Sequence, residues 1–192
     1  MSSPDLPPIP VRLHDRPLLA GLVVPWITVQ TPDGRYRFGA VDANRAAKAL
    51  HRRWCQICGQ PLEARFVFAM RDRDLDRNLA AEAAMHPECF HYSITACPML
   101  AGRMDHYRLI GNGQLFAGIG DVLGDPDGRR AGQAAEPWHA VWARDYTVIT
   151  DPVTDLPAAL LLPDQILRVR PIAHTDSRAL IPGLSAPGQS IH

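Results

Sequence analysis

The stretch WCQICGQPL at 54–62 sets Cys55 and Cys58 two residues apart with Gly59 directly behind them, and MHPECF at 85–90 gives His86 and Cys89 the same spacing. Thiolates and an imidazole spaced this way are donors for a tetrahedral ion, Zn2+ above all, because a pair on one tight turn supplies two ligands from a short segment. Gly59 suits such a turn, since the backbone that aims both sulfurs at one point often passes through positive φ. His86 and Cys89 stand at i and i+3, so on the first turn of a helix they share a face. The electropositive helix N-terminus favours a thiolate there. The expected ligand set is Cys55, Cys58, His86 and Cys89, in the pattern C-x2-C-x27-H-x2-C. Two other readings stay open: small buried hydrophobes beside a surface histidine, or another metal, including an iron–sulfur cluster that recruits Cys97. Cys97 follows Cys89 by eight residues on the same expected helix. At 1.5 Å per residue that is about 12 Å, too far to share one ion, so Cys97 reads as a core cysteine at the helix end.

Four matched ligands close a zinc site, whereas a catalytic zinc keeps three protein ligands and an open position. The expected zinc is therefore structural, its binding energy serving as folding energy. Over residues 54–98 the order of knuckle, β segment and ligand-bearing helix resembles the treble-clef class of zinc fingers, with HPECF similar to the helix-borne half of those sites. That resemblance implies a metal and a local fold. It does not select a function, because the class serves nucleases, adaptors, ribosomal proteins and enzyme subdomains alike. The nearest enzymatic reading is a nuclease of the HNH type, but such enzymes place an Asp-His pair between the two ligand pairs. Residues 59–85 contain no histidine, and Asp105-His106 comes after the finger. The wider pattern of strand pair, helix and finger is similar to actinobacterial proteins that carry a zinc finger. Nineteen of the 20 basic residues are Arg, with Lys48 the exception, in keeping with GC-rich codon usage.

The elements that must carry these residues follow from periodicity and punctuation. Pro4, Pro7, Pro8, Pro10 and Pro17 make residues 1–17 a Pro-rich arm, flexible or draped. β-Rich residues on either side of Pro32-Asp33-Gly34 predict a hairpin over 22–30 and 35–41. Asp42 then reads as the N-cap of a helix over 43–53, with Ala43, Ala46, Ala47, Leu50 and Trp54 along one face, leading into the first cysteine pair. ARFVFAM (64–70) is an expected strand and the charged 71–78 a solvated connection. Pro87 at the first helical position and Glu88 in the first turn start a helix that stops before Pro98. YRLI, QLFAGIG, WHAVWA, DYTVIT and QILRVRPI are candidate strands around a polar loop at 124–137, and 176–192 reads as a flexible tail. Trp138 and Trp142, four apart, would share a face of their strand. The fold class expected is α+β: a treble-clef-like zinc site embedded in a β-rich single domain spanning 18–175.

At 192 residues the chain suits one domain with a sizeable core. Its 20 basic and 20 acidic residues balance, so no global field draws it to nucleic acid or an anionic membrane. The longest apolar run, LLAGLVVPWITV at 18–29, is broken by Pro25 and is too short to span a bilayer or to read as a signal peptide. A cytoplasmic location is expected, where four cysteines point to metal or thiol chemistry rather than disulfides.

No nucleophile motif, H-E-x-x-H or phosphate loop occurs, and the spaced glycines at 111–120 read as turns. The leading expectation is an interaction protein, stabilised by zinc, that recognises a protein or nucleic-acid partner without involving a membrane. Residues 44–65 hold Arg45, Lys48, Arg52, Arg53 and Arg65 against Glu63 alone. On a helix Arg45, Lys48 and Arg52 share a face, and with Arg53 they form the candidate phosphate contact. The plainer reading is that these side chains solvate an amphipathic helix. The alternative function is an enzyme, nucleic-acid-processing or small-molecule tailoring, with its site in 100–175, where His106, His139, His174 and Asp176 could meet.

Overall fold

The computed structural model describes residues 6–107, 122–123 and 132–173. The first described segment is draped over the body: a 3-10 turn at Val11–Leu13 follows Pro10, and Leu13 is fully buried. Two two-residue strands, β1 (Leu18–Leu19) and β2 (Leu22–Val23), form a small hairpin of their own. The expected larger hairpin is present but shorter, with β3 (Thr28–Gln30) antiparallel to β4 (Tyr36–Asp42). Residues 22–27 leave it because their backbone is used elsewhere: Pro25 has no N–H, while Trp26 and Ile27 donate to the carbonyls of Ile57 and Gln56 in the cysteine turn, at 2.9 and 3.2 Å.

Helix α1 (Ala43–Arg52) begins where expected, with the Asp42 carboxylate accepting from the Arg45 N–H at 2.9 Å. It ends on Arg53 in the left-handed region, which turns the chain into the first cysteine pair. β5 (Phe66–Arg71) follows, then the five-residue helix α2 (Asp72–Asp76), β6 (Leu79–Ala80) and α3 (Pro87–Ala96). The charged 71–78 segment is not a fully solvated connection. Arg71 and Asp74 are buried and joined by two hydrogen bonds of 2.7 and 2.8 Å, with Asp74 also accepting from the Arg71 backbone N–H. Sequence pattern alone reads such charges as exposed, because burial of an Arg is tolerated only once a carboxylate meets it with this geometry.

β7 (Val122–Leu123) adds to β4, completing the β3-β4-β7 sheet. WHAVWA forms β8 (Trp138–Ala143), DYTVIT contributes β9 (Thr147–Thr150), and QILRVRPI contributes β11 (Ile166–Pro171). β10 (Pro157–Leu160) lies between β6 and β9. Its sequence, PAAL, has little intrinsic strand preference, so only its place between two partners makes it a strand. YRLI beyond Tyr107, QLFAGIG, most of the 124–137 loop and the 176–192 tail lie outside the described residues.

The antiparallel sheet β5-β8-β11 organises the interior. β5 is buried at every position and alternates between two cores. Val67 and Ala69 pack with Leu13, Tyr92, Phe90, Trp138 and the cysteine cluster; Phe66, Phe68 and Met70 pack with Leu50, Tyr146 and Leu161 on the other face. Trp142 packs against the first core beside Trp138, as their spacing predicts. Helix and strand are mixed, sheet predominates, and one shared sheet makes the two cores a single domain.

Candidate metal centre

The four expected donors converge. One ligand atom from each of Cys55, Cys58, His86 and Cys89 lies within 4.8 Å of the others, and all four residues are buried. Among the described residues this is the only cluster of His, Cys, Asp and Glu with such geometry. Two separate pieces of chain build it. In the turn from Trp54 to Pro61, which pair as an isolated antiparallel bridge, Cys55 N–H donates to the Gln60 carbonyl and Gly59 N–H to the Cys55 carbonyl, each at 2.8 Å. Gly59 has φ +76°, and a Cβ there would sit 2.6 Å from two atoms of the Trp26 indole, so a side chain at this position is opposed both by backbone and by contact. The second piece is the start of α3, where His86 is the N-cap, Pro87 occupies the first turn and Cys89 follows.

Strand β5 brings the two pieces together. Val67 and Met85 exchange reciprocal backbone hydrogen bonds of 2.9 Å, setting the entry to α3 against β5, and Gln56 N–H donates to the Ala84 carbonyl at 3.1 Å. The draped N-terminal segment adds a clamp: Arg12 pairs with Glu63 just past the turn, at 2.5 Å, and with Glu88 on α3, and donates to Gln60.

The imidazole is oriented by the turn itself. His86 Nε2 lies 2.9 Å from the Pro61 carbonyl, which can only accept, so Nε2 carries the hydrogen and Nδ1 is the nitrogen that faces Cys58 Sγ at 3.3 Å. In a tetrahedral zinc site, bond lengths near 2.3 Å for sulfur and 2.0–2.1 Å for nitrogen separate a sulfur and a nitrogen by about 3.6 Å, and two sulfurs by about 3.8 Å. The Cys58 Sγ to His86 Nδ1 separation of 3.3 Å is within a few tenths of an ångström of that sulfur–nitrogen value, and all four donors fall within 4.8 Å of one another.

Electrostatics in the cluster favours a cation. Hydrogen bonds with Cys55 and Cys89 draw the Cys58 thiol far below its ordinary range. Hydrogen bonds with Cys55 and Cys58, together with burial, push Cys89 far above it. Burial opposes a charged His86, yet hydrogen bonds with Cys55 and Cys58 outweigh it and lift the imidazole to about 10. One thiolate is welcome in this packing and a second is resisted; a divalent ion is what lets three sulfurs be anionic in one buried place. Three thiols and an imidazole fit Zn2+ by donor type and number.

No family model, curated protein or solved structure matches the chain. The reading of the centre therefore rests on its own geometry.

Cys97, at the C-cap of α3, stands apart from the cluster, half-buried against the first core, and burial raises its thiol. The basic residues expected to meet phosphate are mostly occupied. Arg45 turns inward, donating to the Trp26 carbonyl at 3.0 Å and lying 3.7 Å from the Asp42 carboxylate. Lys48 Nζ sits 4.9 Å above the Trp54 ring. Arg53 stacks on Tyr146, donates to its carbonyl at 2.7 Å and pairs with Asp145 at 2.5 Å. Arg52 is exposed, with no ion pair among the described residues. Sequence reasoning saw the charge of this helix but not its partners, because Trp26, Asp145 and Tyr146 come from distant segments.

His106 is exposed beside Asp105 at 3.1 Å, and His139 has its Nδ1 3.3 Å from Asp72. His174 and Asp176 lie outside the described residues. Among the described residues no helix is long and apolar enough to cross a membrane.

Proposed function

We propose that this chain is a zinc-stabilised interaction protein of the treble-clef type, in which Cys55, Cys58, His86 and Cys89 bind one Zn2+ that holds the cysteine turn, β5 and α3 in register. The observation that carries this reading is the closed set of four buried donors, with no ligand position left for substrate or water. Zinc there supplies cross-linking energy and fixes surfaces built on the turn and helix, rather than a reactive centre. A protein partner suits the exposed surface better than nucleic acid, since Arg45, Lys48 and Arg53 are engaged within the fold and the chain has no net charge. A reducing cytoplasm suits three thiols kept as metal ligands. The scarcity of Lys beside Arg is in keeping with an actinobacterial source.

The test combines elemental analysis with cobalt substitution and a comparison of zinc-loaded and chelator-stripped chain as bait against a cell lysate. One zinc per chain, a tetrahedral cobalt spectrum unmoved by azide, and a protein retained only by the loaded chain are the expected results. An azide-sensitive spectrum would mean an open coordination position and overturn the structural role. Retention of nucleic acid instead of protein, or of nothing, would overturn the protein-interaction role.

A further inference from the structure

The two edges of the β5-β8-β11 sheet are finished differently. On the β5 side the reciprocal Val67–Met85 bonds close the edge, and β5 is buried throughout. On the other side β11 pairs with β8 alone among the described residues, and from Leu167 to Pro171 every residue is exposed. Three large aliphatics lie in or beside this strand with nearly half their surface in water: Leu162 at 45%, Leu167 at 46% and Val169 at 44%. Arg168 is registered opposite Trp142 and Arg170 opposite Ala140, so both arginines rise from one face. There, Arg65, Trp142, Leu167 and Arg168 line a shallow depression of about 290 Å³. Arg65, Arg168 and Arg170 have no ion pair among the described residues, unlike Arg45 and Arg53.

We propose that β11 is a docking edge for an extended segment of a partner protein in which acidic residues alternate with apolar ones. The segment adds as a strand outside β11, its carboxylates on the face of Arg168 and Arg170 and its apolar side chains on the opposite face, beside Val169. The inference rests on the interaction reading above and names the surface and the chemistry of the partner.

Charge decides the occupant. Edge strands are commonly guarded by charges, a proline or a register irregularity, and β11 has all three: its arginines, Pro171, and a shift between Ile166 and Arg168. A second copy of the chain, paired antiparallel about Val169, would set Arg168 directly across from the other copy's Arg170, and like charges so placed repel. The same two arginines attract a strand carrying carboxylates. The guard therefore selects: it rejects self-association and admits an acidic partner. Leu167 and Val169, which a purely defensive edge would replace by polar residues, supply the apolar half of the recognition.

The test uses the full-length zinc-loaded chain and a fluorescein-labelled heptapeptide alternating glutamate with valine, beside its lysine–valine counterpart. Anisotropy should show saturable, salt-sensitive binding of the glutamate peptide and none of the lysine peptide. Hydrogen exchange should slow at the amides of residues 166–170. Because those arginines are exposed, Arg168→Glu with Arg170→Glu should leave the fold and zinc content intact while weakening binding about tenfold or more. Binding that survives the double reversal, or protection that maps elsewhere, overturns the assignment to β11. No binding of the glutamate peptide overturns it as well. If a protein is still retained by the zinc-loaded chain, with and without the reversal, the interaction reading stands while the β11 assignment falls; if nothing is retained, both fall.

Discussion

Gly59→Ala perturbs the centre without touching a ligand, so it separates the fold of the cysteine turn from the chemistry of the metal. Two costs can be worked from the structure. The backbone at Gly59 has φ +76°, where an L-residue loses about 1 kcal/mol relative to glycine. The new methyl would also lie 2.6 Å from both Cγ and Cδ1 of Trp26. That indole cannot simply swing away: its backbone N–H is bonded to the Ile57 carbonyl at 2.9 Å, and its ring meets Trp54 edge-on at 5.6 Å. Overpacking against a held aromatic costs about 1–3 kcal/mol, giving a total of about 2–4 kcal/mol. That is a large part of the 5–15 kcal/mol or so typical of a whole domain. Urea unfolding of the zinc-loaded protein, followed by tryptophan fluorescence, measures it, with metal content determined on the same samples. In a Trp26→Leu background the penalty should shrink to about 1 kcal/mol, the backbone part alone. A Gly59→Ala variant within about 0.5 kcal/mol of wild type would refute the reasoning. So would an equal penalty in the two backgrounds, since the clash with Trp26 would then contribute nothing.

The remaining predictions concern the ligands and the buried charges. Cys58→Ser should release the metal and lower the unfolding temperature, whereas Cys97→Ser should keep one zinc per chain; metal loss from the second variant would mean the ligand set is misassigned. Asp74→Asn removes the carboxylate that hydrogen-bonds the buried Arg71 guanidinium, leaving Glu136 at 3.9 Å as its remaining ion pair, and should cost about 3 kcal/mol in denaturant unfolding, with a change under about 1 kcal/mol contradicting the role of that pair. The Arg77 guanidinium holds the buried Asp151 carboxyl below its ordinary range. Its contribution is therefore complete above the unfolded value near 3.9 and is lost as pH falls through the lower folded value. Wild type should exceed Asp151→Asn in stability at pH 7 and pH 5, with the gap closing below about pH 4; a gap that persists to pH 2 would contradict the assignment.

Local patterns were legible because their causes are local. Asp42 caps α1 through its own neighbour's N–H, Pro87 fits the first turn of α3 without losing a hydrogen bond, and the WHAVWA strand carries its β preference in its residues. The four donors were legible for a related reason: a pair two residues apart has few ways to face a common point, and both pairs had turn or helix-start signals beside them. Segments whose conformation depends on distant partners were not legible. The PAAL strand exists because β6 and β9 flank it, and the charged run after β5 folds inward because Arg71 and Asp74 satisfy each other.

What the sequence by itself determined is the donor set, the helix that presents half of it and the predominance of strands, since each follows from residue type at short spacing. Only the tertiary structure decided that His86 faces the cluster through Nδ1, because that depends on the Pro61 carbonyl 25 residues away. It alone decided which arginines are free to act. Arg45 and Arg53 find carbonyls and carboxylates from remote segments, while Arg168 and Arg170 stand on an edge that no described strand covers. Spacing fixes which groups can meet a common neighbour; which groups already have one is settled when segments far apart in the chain pack together.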